Sequence, residues 1–266
     1  MRSAYVLGSK GMLGSAVSSF LNNQKGWTVE HYHRGCGMSL NSFVESISSS
    51  PDNFVFNCIG AIPQKKFTAE QLYEANFAIP AMIASKLAKE VNLIHPSSDC
   101  VFSGKMRGTY SKNDTDYSLD SYGLSKRASE ALLTQRANSL VIRASIIGKG
   151  ENDKGLLSWI LLNKNKRVPG YENHFWNGLT SFEWIKQVIH LIEIYEGKNY
   201  PDLVQLGTED SLSKAALIQK VSDLFDLNIE VMPVKKEFRS LVLKSDYLVA
   251  PLDEQLLDFK KFFNLS

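Results

Sequence analysis

The sequence predicts an α/β protein of the Rossmann type, a doubly wound parallel sheet carrying a small C-terminal α/β lobe. Three observations predict it. Short apolar runs alternate with amphipathic stretches through the first two thirds of the chain. The run at residues 53–59, Asn-Phe-Val-Phe-Asn-Cys-Ile, is apolar on both faces, as in a strand covered by helices on both sides. A glycine-rich segment, Gly8-Ser9-Lys10-Gly11-Met12-Leu13-Gly14, separates the first apolar run from the first amphipathic one. Alternation of this kind builds a parallel sheet through right-handed crossovers.

Each element follows from its local pattern. Residues 4–7 read as a short buried strand, 12–22 as a helix and 27–33 as a second strand. A short helix is predicted over 40–48, with Asn41 as a possible cap, and a strand over 53–59. Residues 68–91 have helical period, with apolar residues at Leu72, Ala75, Phe77, Ile79, Met82, Ile83 and Leu87 and Pro80 as a candidate kink. A strand at 93–95 runs into Pro96 and a loop, a helix covers 121–135, and a strand covers 140–147. Beyond residues 148–150 the regularity fades. Helices are predicted at 156–163, 181–196, 213–224 (capped by Ser211 or Ser213) and 253–263, with short strands at 203–206 and 229–234. We expect residues 1–150 to form a nucleotide-binding domain. Residues 151–266 should form mainly a substrate lobe, with about 181–206 returning to the main sheet.

Composition narrows the function. The apolar fraction of 44% and charged fraction of 22% are those of a globular chain of one large domain. Lys and Arg outnumber Asp and Glu by 30 to 28, so no bulk basic surface points to nucleic acid. Cys36, Cys58 and Cys100 are too widely spaced for a disulfide framework or a metal cluster. The five histidines, His31, His33, His95, His174 and His190, show no metal-ligand spacing, and no metal is expected. No apolar run reaches the ~18 residues that span a bilayer. The chain enters a strand at once with no leader pattern, so a cytoplasmic location without membrane association is expected. No sustained heptads or interface stripe fixes the oligomeric state, and a homodimer stays open.

The residues that carry chemistry come in order. In Gly8-x-x-Gly11-x-x-Gly14 the first glycine permits a tight turn and the second lets the backbone of Met12 and Leu13 approach a diphosphate. The third allows close helix–strand packing. The second strand ends in Glu30-His31-Tyr32-His33-Arg34, with basic residues where an acid would read a ribose 2′-hydroxyl. Arg34 and His33, with Lys10 nearby, suit a 2′-phosphate and predict NADP(H). Glu30 lies too early to be that acid. Tyr122 and Lys126 are four residues apart and share a helix face. The ammonium is expected to lower the phenol pKa, so that Tyr122 exchanges a proton with a substrate oxygen while Lys126 holds the nicotinamide ribose. Ser98 is placed to hydrogen-bond that oxygen.

On these residues the chain resembles the extended short-chain dehydrogenases/reductases, and most of all their dTDP-4-dehydrorhamnose reductase branch. The resemblance covers roughly the first 150 residues. It rests on residues 8–14, Asn57-Cys58-Ile59-Gly60, the stretch Ser98-Asp99-Cys100-Val101-Phe102-Ser103-Gly104, and Tyr122 with Lys126. It implies a cofactor contact at Cys58, Ile59 and Gly60. It also implies that Ser98, Asp99, Cys100 and Tyr122 meet a nucleotide-linked 4-keto-6-deoxy sugar, reduced at C4 by NADPH for surface-polysaccharide synthesis. The family has tyrosine where Cys100 stands. The nucleotide would lie in the C-terminal lobe, against Trp176 and Asn177, with Arg239 on the diphosphate.

Two alternatives follow from the same residues. Epimerase–reductases of the GDP-fucose synthase type carry a basic cysteine two residues after the serine, as Cys100 does here. Their partner histidine is absent, though Lys149 or Glu151 could substitute. The regulatory subunit of methionine adenosyltransferase also resembles this branch, so a non-catalytic NADP-binding subunit is the second alternative. The dehydratase reading is rejected, because Cys100 occupies the position of the required glutamate.

Overall fold

The computed structural model describes residues 1–150 and 155–265. The chain begins with β1 (Arg2–Leu7), α1 (Met12–Asn22), β2 (Trp27–Tyr32), α2 (Leu40–Glu45) and β3 (Asn53–Asn57). It continues through α3 (Ala69–Tyr73), a π-helical turn (Glu74–Ala78), α4 (Ile79–Lys86), β4 (Asn92–Ser97), a 3₁₀ turn (Asp99–Val101) and β5 (Thr109–Tyr110). Then come α5 (Ser121–Leu133), β6 (Ser139–Arg143), β7 (Ile146–Ile147) and α6 (Leu156–Leu161). β8 (Arg167–Tyr171), β9 (His174–Trp176), β10 (Leu179–Thr180), α7 (Ser181–Ile194), β11 (Val204–Gln205) and β12 (Leu212–Ser213) follow. The described chain closes with α8 (Lys214–Leu224), β13 (Glu230–Val234), β14 (Arg239–Leu243) and α9 (Leu252–Phe262).

The main sheet has the order β11-β6-β4-β3-β1-β2, and all its pairings are parallel. Side chains alternate between two cores, as a period of two demands. Ala4, Val6, Phe54, Phe56, Ile94, Leu140 and Ile142 meet α1 and α7. Leu7, Val55, Leu93 and Val141 meet α2, α4 and α5 on the other side. The strand order reverses between β1 and β3. Crossovers leave these two strands in opposite directions, and the crevice at their carboxyl ends is where such sheets bind ligands.

The C-terminal part holds its own core, built by α6, β8, α8 and α9 around Leu157, Leu217, Val221, Leu256 and Phe259. A four-stranded sheet, β12-β9-β14-β5, joins this part to the loop after β4. None of its four strands was evident as a strand, because runs of two to five residues of mixed polarity carry no period. The predicted helix over 68–91 ends at Lys86, and its break is not at Pro80. A π turn interrupts it at residues 74–78, and Pro80 lies in the first turn of α4, where a missing N–H is tolerated. Ser39, not Asn41, caps α2 by accepting from the Ser42 amide, and Ser213 caps α8. Among the described residues no helix is long and apolar enough to cross a membrane.

One buried ion pair ties the sheet to the helix that carries the central tyrosine. Arg143 on β6 donates from Nε to Glu130 Oε1 at 3.0 Å and from Nη2 to Oε2 at 2.7 Å. Its Nη1 donates to Gln205 Oε1 at 3.0 Å. Removing one partner strands a charge. Glu130→Ala is therefore expected to lower the unfolding free energy by about 3–5 kcal/mol. A Glu130→Met/Arg143→Met double variant should recover most of that loss. Urea denaturation checks both, and a single variant within ~0.5 kcal/mol of wild type, the range of ordinary surface changes, would contradict the role assigned to the pair.

Candidate active site

The glycine turn is built as its spacing requires. Gly8 has φ +80°, and a Cβ there would lie 3.0 Å from the Cys58 carbonyl oxygen. A Cβ on Gly14 would lie 2.2 Å from the Gly8 carbonyl oxygen, so α1 reaches the strand only because residue 14 has none. Gly11 caps α1 without a side-chain acceptor. The amides of the first turn, at Met12, Leu13 and Gly14, thus face the crevice with the positive end of the helix dipole. The Gly8 and Ser9 amides both donate to Tyr32 O, which brings the end of β2 beside this turn. Lys10 and Arg34 are exposed there and His33 is half-buried.

The exit of β3 forms the second wall. The Cys58 amide donates to Leu7 O at 2.9 Å. The loop beyond is clamped by Asn76, which is fully buried in the π turn. Asn76 Oδ1 accepts from the Ala61 amide, and its Nδ2 donates to Ala61 O and to Ser125 Oγ. A Cβ on Gly60 would stand 3.3 Å from Asn76 Oδ1 and 3.8 Å from Lys126 Nζ. Asn76 was not foreseen. It lies in a stretch that reads as regular helix, and π turns of this kind recur at functional sites.

Ser98, Tyr122 and Lys126 come together at the exit of β4. Ser98 caps the 3₁₀ turn, its Oγ accepting from the Cys100 amide at 3.1 Å and donating to Asp99 Oδ1 at 3.0 Å. Asp120 caps α5 by accepting from the Gly123 amide at 2.7 Å. A Cβ on Gly123 would lie 2.4 Å from the Cys100 carbonyl oxygen, so the glycine after the tyrosine lets α5 dock on the Ser98 turn. The Tyr122 phenol thereby sits beside the Ser98 hydroxyl. Lys126 is buried and donates to the Pro96 carbonyl at 3.0 Å.

The electrostatics differ from the sequence expectation in one respect. Burial raises the pKa of Tyr122, Cys100, Asp99 and Asp120 add to the rise, and only its contact with the Ser98 hydroxyl opposes it. Lys126 is not among the groups that act on the phenol. Its ammonium turns toward Pro96 O and faces Cys58 and Glu130, and burial lowers its pKa to about 8. Burial therefore favours the neutral phenol of Tyr122. His95 beneath the lysine is neutral too. It is fully buried between Asn57 and Ser129, and burial, aided by the Lys126 charge, holds its pKa well below the usual value.

In the C-terminal lobe two expectations are corrected. Trp176 is not an open stacking surface, being 2% exposed with its indole N–H donating to Ser145 Oγ at 2.7 Å. Asn177 is no ligand contact either. Its Nδ2 donates to Thr208 O and Leu243 O, and its Oδ1 accepts from the Leu243 amide, so every polar atom of the side chain holds backbone. Arg239 does reach the site, packed over Gly104 and charged next to Cys100. Lys214 was not foreseen from its local pattern, and its charge acts at the same place. The Cys100 thiol is pushed up by burial and then by Asp99, with Arg239 opposing, which makes it a poor base. Of its two candidate partners, Lys149 is exposed and Glu151 lies outside the described residues. Among the described residues no cluster of three His, Cys, Asp or Glu could hold a metal ion.

Known proteins share this fold. Residues 1–169 match the RmlD substrate binding domain family. A probable low-salt glycan biosynthesis reductase of Haloferax volcanii is 26% identical over 176 residues, a match that spans 59% of this chain and 59% of that protein. The crystal structure of a dTDP-4-dehydrorhamnose reductase from Bacillus anthracis in complex with NADP superposes with a TM-score of 0.84 at 15% identity, covering all of both chains. That of a dTDP-4-dehydrorhamnose reductase from Clostridium acetobutylicum superposes at 0.80 with 14% identity, covering 98% of this chain and 99% of that one. Similarity at these identities extends to the whole fold, including the C-terminal lobe.

The thiol environments predict an order of reactivity. Cys36 is exposed and its pKa is lowered by backbone hydrogen bonds from the Met38 and His33 region. Burial pushes Cys58 up to about 12 and Cys100 up as well. Because the thiolate is the nucleophile, iodoacetamide at neutral pH should modify Cys36 well before the other two, as read by peptide mass spectrometry. Faster labelling of Cys100 would refute the environment described for it.

Proposed function

The chain belongs to the RmlD substrate binding domain family, and from that premise we propose that it is an NADPH-dependent reductase of a nucleotide-linked 4-keto-6-deoxy sugar, acting in glycan synthesis. The observation that carries the reading is the convergence of Ser98, a neutral Tyr122 and the buried Lys126 at the mouth of the crevice between β1 and β3. In this reading residues 1–150, with about 181–206, hold the cofactor, and the rest of 151–266 receives the substrate.

The residues at the crevice fit a dinucleotide. Gly8 and Gly14 set the turn tightly against the sheet, Gly11 has no side chain to block a diphosphate, and the first-turn amides of Met12 and Leu13 supply donors to it. Cys58, Ile59 and Gly60 line the opposite wall. Lys10, His33 and Arg34 form a basic rim suited to a 2′-phosphate. When bound, the nicotinamide supplies the hydride. Lys126, a charged donor 3.8 Å from the place where a Gly60 side chain would begin, holds the ribose hydroxyls. Ser98 turns its single hydroxyl proton from Asp99 to the keto oxygen and aligns it. Tyr122 then gives its proton to that oxygen as negative charge develops there. Its raised pKa keeps the proton in place until then.

The neutral Cys100 thiol disfavours combined epimerisation, which needs a base at that atom. Trp176 and Asn177 are withdrawn from the substrate contacts, and Asp99, Cys100, Tyr122, Ser98 and Arg239 remain.

Three outcomes test the reading. Tyr122→Phe should lower kcat by on the order of 10²-fold or more with cofactor affinity little changed; unchanged turnover would remove the proton-donor role. Arg34→Glu should shift preference toward NADH by about tenfold or more; an unchanged ratio of kcat/KM values would show that Arg34 does not read the 2′-phosphate. Lys126 is charged below its pKa, so kcat/KM for NADPH should fall as pH rises through about 8. A profile flat to pH 10 would contradict this. Turnover itself is read as NADPH oxidation with dTDP-, UDP- and GDP-linked keto sugars, and NADPH binding without turnover of any would favour the regulatory-subunit alternative.

A further inference from the structure

We propose that His95 is a positioning residue: with Asn57 and Ser129 it forms a one-way chain of hydrogen bonds that sets the gap between Lys126 and the cofactor wall at Ile59 and Gly60. This rests on the reading above, in which Lys126 holds the nicotinamide ribose, and it gives a role to a buried histidine that takes no part in the proton transfer.

The chain starts at the Ile59 amide, which donates to Asn57 Oδ1 at 3.3 Å. Asn57 Nδ2 lies 3.1 Å from His95 Nδ1, and His95 Nε2 lies 3.3 Å from Ser129 Oγ. Ser129 Oγ donates to the Lys126 carbonyl at 2.9 Å. The two ends fix every proton between them. A backbone N–H only donates, so Asn57 turns its oxygen to Ile59 and its NH₂ to the histidine. His95 Nδ1 is therefore an acceptor, and the imidazole proton sits on Nε2. A carbonyl only accepts, so the single Ser129 proton points at Lys126 O and the serine oxygen takes the Nε2–H. One neutral tautomer satisfies the whole chain. An imidazolium would set an Nδ1–H against the Asn57 amide protons and a second charge beside Lys126. Burial and that lysine both hold the histidine neutral.

The side chains of Asn57, His95 and Ser129 are all buried. A broken link would leave a polar group away from solvent, so the chain resists rearrangement.

Its two ends meet across the site. The first donor, Ile59, precedes Gly60, where a Cβ would stand 3.8 Å from Lys126 Nζ. The last acceptor is the carbonyl of that same lysine. The ammonium is tied to the strand that carries the histidine, by its bond to Pro96 O at 3.0 Å. Lys126 is thus held from β4 at both ends, its backbone through His95 and its Nζ through Pro96, while His95 reaches on to β3 through Asn57. A lysine side chain has many rotamers, and bonds to rigid strands select one of them.

The experiment measures cofactor affinity and so needs no substrate. NADPH and adenosine 2′,5′-bisphosphate, a fragment with the 2′-phosphate and without the nicotinamide ribose, are each titrated into the full chain by calorimetry. His95→Asn still accepts from Asn57 but is too short to reach Ser129, whereas His95→Gln carries an N–H to the Nε2 position. His95→Asn should weaken NADPH binding by about tenfold or more, with affinity for the fragment within a few-fold of wild type. His95→Gln should restore NADPH binding to within a few-fold. Equal losses for NADPH and the fragment, or unchanged NADPH binding in His95→Asn, would overturn the positioning role. So would NADPH binding by His95→Gln as weak as that of His95→Asn. The chain itself is read in the wild-type protein, independently of how the variants fold. Histidine ¹⁵N NMR at neutral pH should place the His95 proton on Nε2, and a proton on Nδ1 would overturn the chain. Wild type that binds neither NADPH nor the fragment would instead refute the cofactor reading on which this role rests, and the tautomer would then decide the chain alone.

Discussion

The site depends on how one helix is held. α5 carries both Tyr122 and Lys126, and the bidentate Glu130–Arg143 pair fixes its rotation against β6. The pair is 5% and 3% exposed, so neither charge finds water if the other is removed. Arg143 extends the tie further. It bonds Gln205 on β11, whose amide donates to the Tyr110 and Lys244 carbonyls, and it lies over the Phe102 ring at 4.8 Å. Phe102 in turn stacks on Tyr110 at 4.3 Å. The loop after Ser98, the start of the β12-β9-β14-β5 sheet and the helix of the tyrosine are thus joined through a single guanidinium.

The second constraint is steric. Gly8, Gly14 and Gly123 each stand where a methyl group would enter neighbouring backbone. The first two set α1 against β1 and β3, and the third sets α5 against the Ser98 turn. Their shared effect is that helix N-termini and strand exits meet at one crevice, at the point where the sheet order reverses. The helix dipole of α1 and the cations of the rim then give that crevice a positive field suited to phosphates.

Charge is distributed unevenly around the crevice. Burial keeps Tyr122, Cys58, Cys100 and His95 in their neutral forms. Arg239 and Lys214 act on Cys100, and Lys126 acts on Cys58 and His95. A neutral phenol is suited to giving a proton to an oxygen as negative charge appears on it, and a neutral thiol is poorly suited to removing protons from carbon. The same burial keeps the proton on both the Cys100 thiol and the Tyr122 phenol.

Local pattern was enough for much of this. The glycine spacing, the apolar period of β3 and β4, and the four-residue step from Tyr122 to Lys126 are short-range features, and they carry the parallel sheet, the nucleotide turn and the Ser98–Tyr122–Lys126 set. What lay between distant segments was not legible. Trp176 and Asn177 have the composition of a ligand surface, yet they are buried joints, because their partners Ser145, Thr208 and Leu243 come from 31 to 66 residues away. Lys126 has the spacing to act on Tyr122, yet the Pro96 carbonyl draws it elsewhere. Lys214 and Arg239 are ordinary cations in sequence, 25 residues apart and in unlike elements. Only the fold, which sets β14 against the Ser98 turn and the start of α8 beside Trp176 on β9, brings them to one part of the molecule, since burial, dielectric and charge–charge distance are properties of the folded chain and not of its local pattern.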